Sequence, residues 1–433
     1  MSMITRRGFV RSTAVAGAAT LAATHVAGAA SGTFSVPNLI RAQNAPVEID
    51  FYHIWGTPVG EQAPDEIHPS VRVIDLFNES QSDIKVNSVT VGGYPETLQK
   101  AQAEMAAGKA PALVITPWAF LYPAQGLGIQ DLGALYGDDV SQLMDLINPA
   151  AHPLVTTEDG AILGVPYAFS TPIWYYNADV FEQAGVDPVA AMETWDTLAE
   201  AAPAIQEALG GTPVFGFTTN RDWPAQTIIQ SNGGKIVADG VPVMDSPEAQ
   251  AAMQVVADLD AAGFHDNSAR SETANNWFAG VTALRQGSVA SLRSVRNEAS
   301  FNFGTVPFPM FEGKPRQSSV GGSFIGMYAR EQEQQDAAWE YMKFALSEEA
   351  YTIWSEIGYL NISTHDLPIV EGQEAAYTQF EEGLTPETQW PSDRGVEASG
   401  VWDVYCERIW ANDISVEEGT EAAVEEISAI IGL

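Results

Sequence analysis

Cysteine and positive charge are both scarce in this sequence. The 433 residues include one cysteine, Cys406, which excludes an intrachain disulfide and any metal site built from cysteines. Lysine and arginine together number 20, against 56 aspartates and glutamates. Residues 1–42 hold four of the basic residues and no acidic ones, so the remainder is still more acidic. Such a charge repels nucleic acid and anionic lipid and favours solubility, so we expect no nucleic-acid partner.

Sequence motifs for catalysis are also missing. The five histidines after residue 42 are scattered, and no HExxH, P-loop or GxGxxG pattern occurs. The run from Gly321 to Ile325 lacks the last glycine of a nucleophile elbow. A glycosidase-like pair of acids stays open, because no pattern singles out two of the many carboxylates. We therefore predict a protein that is not an enzyme, with no catalytic residues, metal or cofactor, and keep a secreted hydrolase as the less favoured alternative.

The N-terminal region has the pattern of an export signal. Arg6 and Arg7 precede a modest apolar run at 14–23, and small residues at 27–29 suit cleavage. This resembles a twin-arginine signal, so residues 1–42 are predicted to be a signal region. The apolar run is too short to be a stable membrane span. No cysteine lies just after this run, so we expect a soluble periplasmic protein without a lipid anchor.

The remaining chain alternates strand-like and helix-like segments, which is typical of βαβ units. Strands are predicted at 47–54, 85–91 and 112–115, and helices at 71–78 and 96–107. Its length exceeds one ordinary core and predicts two lobes. Ligands of α/β sheets gather at the carboxyl ends of strands, where Trp55 and Trp118 lie in this sequence.

Aromatic residues at predicted strand ends and turns are candidate ligand contacts, because flat rings pack against the C–H faces of sugars. They are Trp55, Tyr94, Trp118, Trp223 and Tyr359. Each could instead be a packing residue, and at a single position the two readings are about equally good. A second set lies on apolar faces and is predicted to be core: Trp174, Trp339, Trp354, Trp402 and Trp410.

The segment 165–198 carries a family resemblance. It runs from a strand-like stretch broken at 170–172 into a short helix that ends at Gly185, and Thr194 is then placed to cap the next helix. The sequence motif STPIWYYNADVFEQAGVDP, followed by TWDTL, resembles that of extracellular solute-binding proteins (family 1) of ABC importers. The resemblance extends over the mature chain. It implies a two-lobed periplasmic-binding-protein fold of type II, α/β in each lobe, with hinge crossings and closure around a solute.

Within that family the sequence is similar to the glycerol-3-phosphate-binding branch. Matching segments lie at 170–172, 321–323 and 358–360, and Tyr94 follows a glycine pair. By this resemblance Tyr94, Ser170, Gly322 and Tyr359 inherit ligand contacts, with Ser288 a match of less certain register. Trp118 stands where that branch has an acidic residue, which favours ring stacking on a pyranose. Arg394 is the candidate for an acidic ligand group. The resemblance therefore implies a sugar or sugar derivative, with an anionic polyol such as glycerol phosphate as the alternative.

The resemblance also implies the domain division and the partners. One lobe is expected to comprise residues 43–167 and 304–346, the other 168–303 and 347–433, with crossings near Tyr167, Phe303 and Ala345. Outside the resemblance, helix starts with capping boxes are expected at 245–248 and at Ser415 with Glu418 as its partner. Permease subunits of an ABC transporter are the expected protein partners of a monomer.

Overall fold

A computed structural model describes residues 45–55 and 68–433; the predicted signal region 1–42 lies outside this range. The strands, in chain order, are β1 (Val47–His53), β2 (Ile84–Thr90), β3 (Leu113–Pro117), β4 (Val165–Ser170), β5 (Pro172–Asn177), β6 (Phe215–Phe217), β7 (Val237–Ala238), β8 (Val241–Pro242), β9 (His265–Asp266), β10 (Leu284–Ser288), β11 (Phe303–Val306), β12 (Ser318–Ser319), β13 (Gly321–Met327) and β14 (Leu384–Thr385).

The α-helices, again in chain order, are α1 (Pro69–Ser80), α2 (Tyr94–Ala106), α3 (Leu121–Gly126), α4 (Leu132–Tyr136), α5 (Asp138–Met144), α6 (Ala178–Ala184), α7 (Pro188–Ala191), α8 (Trp195–Ala208), α9 (Asp222–Ser231), α10 (Pro247–Ala261), α11 (Arg270–Phe278), α12 (Leu292–Glu298), α13 (Gln332–Ala345), α14 (Glu348–Ser355), α15 (Glu374–Glu382), α16 (Gly395–Trp410) and α17 (Val416–Ile431). A 3₁₀ turn, Trp118–Phe120, follows β3. None of the helices in the described ranges is both long and apolar enough to span a membrane.

The first sheet has the strand order β2-β1-β3-β13-β4. Strands β1, β2 and β3 run parallel, while β13 pairs antiparallel with both β3 and β4. Every residue of β3 is buried, as expected for the apolar central strand of a sheet covered on both faces. Because β1 and β3 are parallel, their carboxyl ends bring Trp55 and Trp118 to the same edge.

The second sheet has the order β11-β5-β10-β6-β9. Only Thr171 separates β4, the last strand of the first sheet, from β5, an inner strand of the second. Thr171 is fully buried. Its hydroxyl donates to the Ser319 carbonyl at 3.3 Å and accepts from the Gln379 amide at 2.9 Å. The passage between the sheets is therefore one residue long and fixed by hydrogen bonds on both sides.

Sheet membership differs from the predicted lobe bounds at three places. The first passage falls at Thr171 rather than at Tyr167, since β4 stays in the first sheet. Strand β11 pairs with β5 in the second sheet, so the return at Phe303 was placed too early. Helix α14 packs against α1, and α15 against β5 and β11, so the third passage follows α14 rather than Ala345. Strand periodicity marks a strand but carries no information on which sheet it joins.

Helix starts follow the sequence closely, with one exception. Thr194 caps α8 in a reciprocal capping box with Thr197, and Ser415 accepts from the Glu418 N–H at the start of α17. Ser246 is the N-cap of α10, but its side chain forms no cap hydrogen bond. The predicted capping box at that position is wrong, and the buried hydroxyl has no partner within the described residues.

Buried aromatic residues occupy the interior next to both sheets. The five tryptophans predicted as core, Trp174, Trp339, Trp354, Trp402 and Trp410, are all buried. Cys406 is also fully buried, in α16, and burial raises the pKa of its thiol well above the usual value.

Candidate functional site

The start of β13 is the point where the predicted site residues meet. Gly321 pairs with Ser170 at the end of β4, and Ser323 pairs with Pro117 at the end of β3. Gly322 has φ +116°, a conformation that L side chains rarely adopt, and a Cβ there would overlap the Ala168 carbonyl oxygen. Position 322 therefore requires glycine in this backbone.

Trp118 packs directly on this segment. Its indole Nε1 donates to the Gly321 carbonyl at 3.0 Å, and its ring stacks on Phe324 at a centroid distance of 5.8 Å. The side chain is 0% exposed. In this structure Trp118 is thus part of the first sheet's core, next to the other predicted site residues, and its contact with a ligand stays a prediction.

Trp223 approaches the same segment from α9, on the second-sheet side. Its Nε1 donates to the Val320 carbonyl at 3.1 Å. A Cβ on Gly321 would overlap the Trp223 ring, so glycine permits the indole to lie against the strand. Trp223 is only partly buried. The two indoles donate to the successive carbonyls of Val320 and Gly321 from two different elements.

A chain of hydroxyl groups links Tyr94, Tyr359 and Trp55. The Tyr94 hydroxyl donates to Ser323 Oγ at 3.0 Å, and Trp55 Nε1 donates to the Tyr359 hydroxyl at 3.2 Å. Burial is the main cause that raises the pKa of both tyrosines, and each hydroxyl also interacts with the other. Tyr359 stacks flat on Trp354 at 5.0 Å. These tyrosines are therefore neutral hydrogen-bonding groups at ordinary pH.

The two predicted serines differ in their surroundings. Ser170 is buried at the end of β4, beside Gly321. Ser288 ends β10, where its hydroxyl accepts the Ala290 N–H at 3.1 Å and caps the following turn. Gly358, which precedes Tyr359, lies against the Val289 carbonyl. Ser288 therefore lies one residue from a contact with the Gly358–Tyr359 segment, and its own hydroxyl is already hydrogen-bonded in the cap.

Arg394 is not brought to the cluster by any contact of its side chain. Its guanidinium pairs with Glu397 on the next turn, at 2.6 Å, with both side chains about half exposed. A further bond goes to the Ile430 carbonyl in α17, at 3.1 Å. The sequence match placed Arg394 as an anion ligand, but its position at the N-terminus of α16 directs it to these surface partners. A role of Arg394 in binding an acidic ligand group stays a prediction.

The sequence did not single out three polar side chains close to the cluster. Asp222, at the start of α9, accepts from Ser399 Oγ at 2.6 Å. Burial and the neighbouring Asp403 raise its pKa to about 7. Glu387 and Gln389 lie between β14 and α16, and Gln389 Nε2 donates to the Trp118 carbonyl at 2.7 Å. The only sequence signal was a polar Glu-Thr-Gln triplet between Pro386 and Trp390.

Two cavities border the segment that carries these residues. The larger, about 530 Å³, lies beside the end of α9 and is lined among others by Gln230, Gln317 and Thr385. The smaller, about 260 Å³, is mostly apolar and includes Phe169, Val320 and Pro386. Both adjoin the 385–388 stretch, so that stretch has open space on either side.

Known proteins match the chain over most of its length. The model of the family described as bacterial extracellular solute-binding protein matches residues 72–375. The chain belongs to the bacterial extracellular solute-binding proteins. The sn-glycerol-3-phosphate-binding periplasmic protein UgpB of Yersinia pestis is 26% identical over 341 residues, covering 74% of this chain and 75% of that protein.

Solved structures of the same architecture cover nearly all the described chain. UgpB from Mycobacterium tuberculosis, in complex with glycerophosphocholine, has a TM-score of 0.75 at 21% identity, covering 90% of this chain and 99% of that one. A cyclic alpha-maltosyl-1,6-maltose binding protein from Arthrobacter globiformis has a TM-score of 0.70 at 21% identity, with 89% and 99% covered. These findings confirm the predicted family and the two-lobed α/β fold of this solute-binding protein.

Proposed function

We propose that this protein is the substrate-binding component of an ABC importer, which binds a sugar or sugar derivative between its two lobes and delivers it to permease subunits. The observation that carries the proposal is the convergence of Tyr94, Trp118, Ser170 and Trp223 on residues 320–323. These side chains come from four separate segments of the chain. A cluster of rings, hydroxyls and close backbone at the ends of strands is a usual form of a small-molecule site.

The roles of the side chains follow from their exposure. Trp223 is partly exposed and offers a ring face to a sugar, while Trp118 supports the floor of the site from beneath. Tyr94 and Tyr359 offer hydroxyls, and Ser170 lies next to Gly321 and Gly322 at the edge of the first sheet. Binding of the ligand would then favour the closed conformation, in which the lobes have moved together about Thr171. The closed conformation is the form that meets the permease.

The names of the relatives indicate two classes of ligand. The Yersinia pestis relative is named for glycerol 3-phosphate, and the Arthrobacter globiformis structure for a cyclic maltose derivative. The ring-rich cluster favours a sugar, with an anionic polyol as the alternative. A twin-arginine signal at 1–42, a periplasmic location and a monomeric state stay predictions.

A thermal-shift screen of the mature protein against mono- and disaccharides, polyols and organophosphates tests this function. A binding protein shows a rise in Tm with its ligand, growing with ligand concentration. It leaves the ligand chemically unchanged, which chromatography of the recovered ligand checks. Turnover of chromogenic glycosides would support the hydrolase instead, and no shift with any compound would contradict the proposal.

The anionic alternative makes a separate prediction for Arg394. Because the guanidinium is exposed and paired with Glu397, Arg394→Ala should change ligand affinity less than about twofold and stability by about 0.5 kcal/mol or less. Calorimetry at low and high salt measures the affinity. A large loss of affinity together with a strong salt dependence would restore Arg394 to the site.

A further inference from the structure

The segment from Pro386 to Trp390 connects the two sides of the site. On the first-sheet side, the Trp390 N–H donates to the Ala119 carbonyl at 3.2 Å, and Gln389 Nε2 donates to the Trp118 carbonyl. On the α9 side, Gln226 donates to the Pro386 carbonyl at 3.2 Å and accepts from the Thr388 N–H at 3.0 Å. The intervening side chains are therefore fixed against both sides at once.

This segment holds two buried acceptor atoms without a donor. Glu387 Oε2 and Gln389 Oε1 are both buried and have no hydrogen-bond partner within the described residues. The Gln389 amide cannot simply be reversed, because its nitrogen already donates to the carbonyls of Trp118 and Glu387. Native proteins rarely leave buried acceptors unpaired, since each costs about 1–3 kcal/mol. Two such atoms beside a candidate site indicate groups that a ligand would satisfy.

The Glu387 side chain lies near another acidic side chain. The charged neighbour of Glu387 is a second carboxyl, Asp222, and burial together with Asp222 raises the pKa of Glu387 well above its usual value. Asp222 in turn interacts with Asp403. The nearby Arg221 guanidinium is occupied by the carbonyl oxygens of Phe217 and Thr219. The Glu387 carboxyl therefore keeps its proton in the unliganded protein, and it also receives a backbone hydrogen bond from Ala119. A phosphate or carboxylate here would lie against two carboxyl groups, Glu387 and Asp222, and its charge would oppose their ionisation.

We propose that Glu387 and Gln389 form a specificity subsite that takes a hydroxyl- or ammonium-bearing ligand group and rejects phosphorylated or carboxylated ones. This inference rests on the proposed function and narrows its ligand. Sugar hydroxyls and ammonium groups both supply the donors that the two oxygens lack. Tyr94 interacts electrostatically with Glu387, so the acceptors adjoin the aromatic cluster. Glu387 would also provide the site with an acidic residue, which the related branch has at the position of Trp118.

Binding measurements on the unmodified mature protein test the ranking of ligand classes. Calorimetry at pH 7.5 compares maltose, glucose, glucosamine, glucose 6-phosphate, glycerol 3-phosphate and glycerophosphocholine. The expected result is binding by a neutral or aminated compound, with the phosphate esters at least tenfold weaker. Two substitutions of Glu387 then distinguish a ligand that donates from a hydroxyl group from one that donates from an ammonium group. Glu387→Leu removes the acceptor and should weaken either kind of ligand at least tenfold.

Glu387→Gln keeps an acceptor oxygen but removes the carboxyl that could ionise on binding an ammonium group. It should weaken an ammonium ligand at least tenfold and a neutral sugar less than threefold. Glu381→Gln is the matched control, because Glu381 is exposed on α15 in the same part of the chain. Circular dichroism verifies that each variant is folded, and the ranking on the unmodified protein does not depend on any variant.

The outcomes separate this inference from the proposed function. A phosphate ester that binds as tightly as its parent, or a Glu387→Leu variant with unchanged affinity, would overturn the subsite and leave the binding protein intact. No binding by any compound of the thermal-shift screen would contradict the proposed function, and the subsite would fall with it.

Discussion

The two sides of the candidate site are built differently. On the first-sheet side, Trp55, Trp118 and Tyr359 are at most 7% exposed and are joined to the core by ring contacts and hydrogen bonds. On the second-sheet side, Trp223 and Ser288 are partly exposed, and Asp222, next to Trp223 in α9, carries a raised pKa. The first side is therefore a preformed wall. The second is more open, and its charge depends on pH.

The largest expected effect separates the two indoles. Trp118→Ala should lower the free energy of unfolding by about 3–5 kcal/mol, because it empties a fully enclosed volume. Trp223→Ala should cost about 1–2 kcal/mol, since a partly exposed ring loses less burial along with one hydrogen bond. Urea denaturation measures both.

The loss of ligand affinity should be larger for Trp223→Ala than for Trp118→Ala, which is the reverse of their order in stability. Trp223→Ala is expected to weaken sugar binding by about 1 kcal/mol, the scale of one ring contact, as measured by calorimetry. Equal losses of stability in the two variants would remove the distinction between a preformed and an open side.

A backbone substitution in the preformed wall has the next largest effect. Gly322→Ala should lower the free energy of unfolding by about 2–3 kcal/mol, because alanine is strained at φ +116° and its Cβ meets the Ala168 carbonyl. Gly400→Ala is the matched control. Gly400 lies inside α16 with open space around it, so alanine there should stabilise by about 0.5–1 kcal/mol. A Gly322→Ala variant of unchanged Tm would show that this wall can relax.

The smallest of these effects concerns the pH dependence of the open side. The pKa of Asp222 is about 7 when folded, well above about 3.9 in an unfolded chain. The folded state therefore retains a proton that the unfolded state releases, and stability should decrease as pH rises from about 4 to 7. Asp222→Asn should remove part of this decrease, on the order of 1–2 kcal/mol.

Urea denaturation at a series of pH values measures that slope. The exposed Asp413→Asn variant serves as the control, and its slope should match that of the unmodified protein. If Asp222→Asn also left the slope unchanged, Asp222 would not carry the proton, and Glu387 would be the remaining candidate.

Local structure was largely predictable from the sequence, because it depends on nearby residues. The bounds of β1, α2 and α8 and the caps at Thr194 and Ser415 follow from periodicity and capping residues. The sheet that each strand joins could not be predicted from the sequence. The run 165–177 reads as one strand-like stretch interrupted at 170–172, yet its two halves pair with different partners far along the chain.

The site was predictable to the extent that strand ends converge. Tyr94, Trp118 and Trp223 did meet around residues 320–323. Parallel strands β1 and β3 also deliver Trp55 and Trp118 to one edge. Arg394 lies apart from the cluster, because Glu397 holds its side chain at the surface, and a match in sequence carries no information about that partner. Glu387 and Gln389 were missed since their segment has no periodicity, and one carboxylate among 56 has no distinguishing signal.

The single enclosed thiol gives this protein a practical property. Cys406 lies inside α16, inaccessible to solvent and with its pKa raised further from neutrality, so alkylating reagents should pass it over. A cysteine engineered onto an exposed helix could then be conjugated to a fluorophore in an otherwise unaltered chain. The resulting reagentless optical sensor would report its solute by a change in emission.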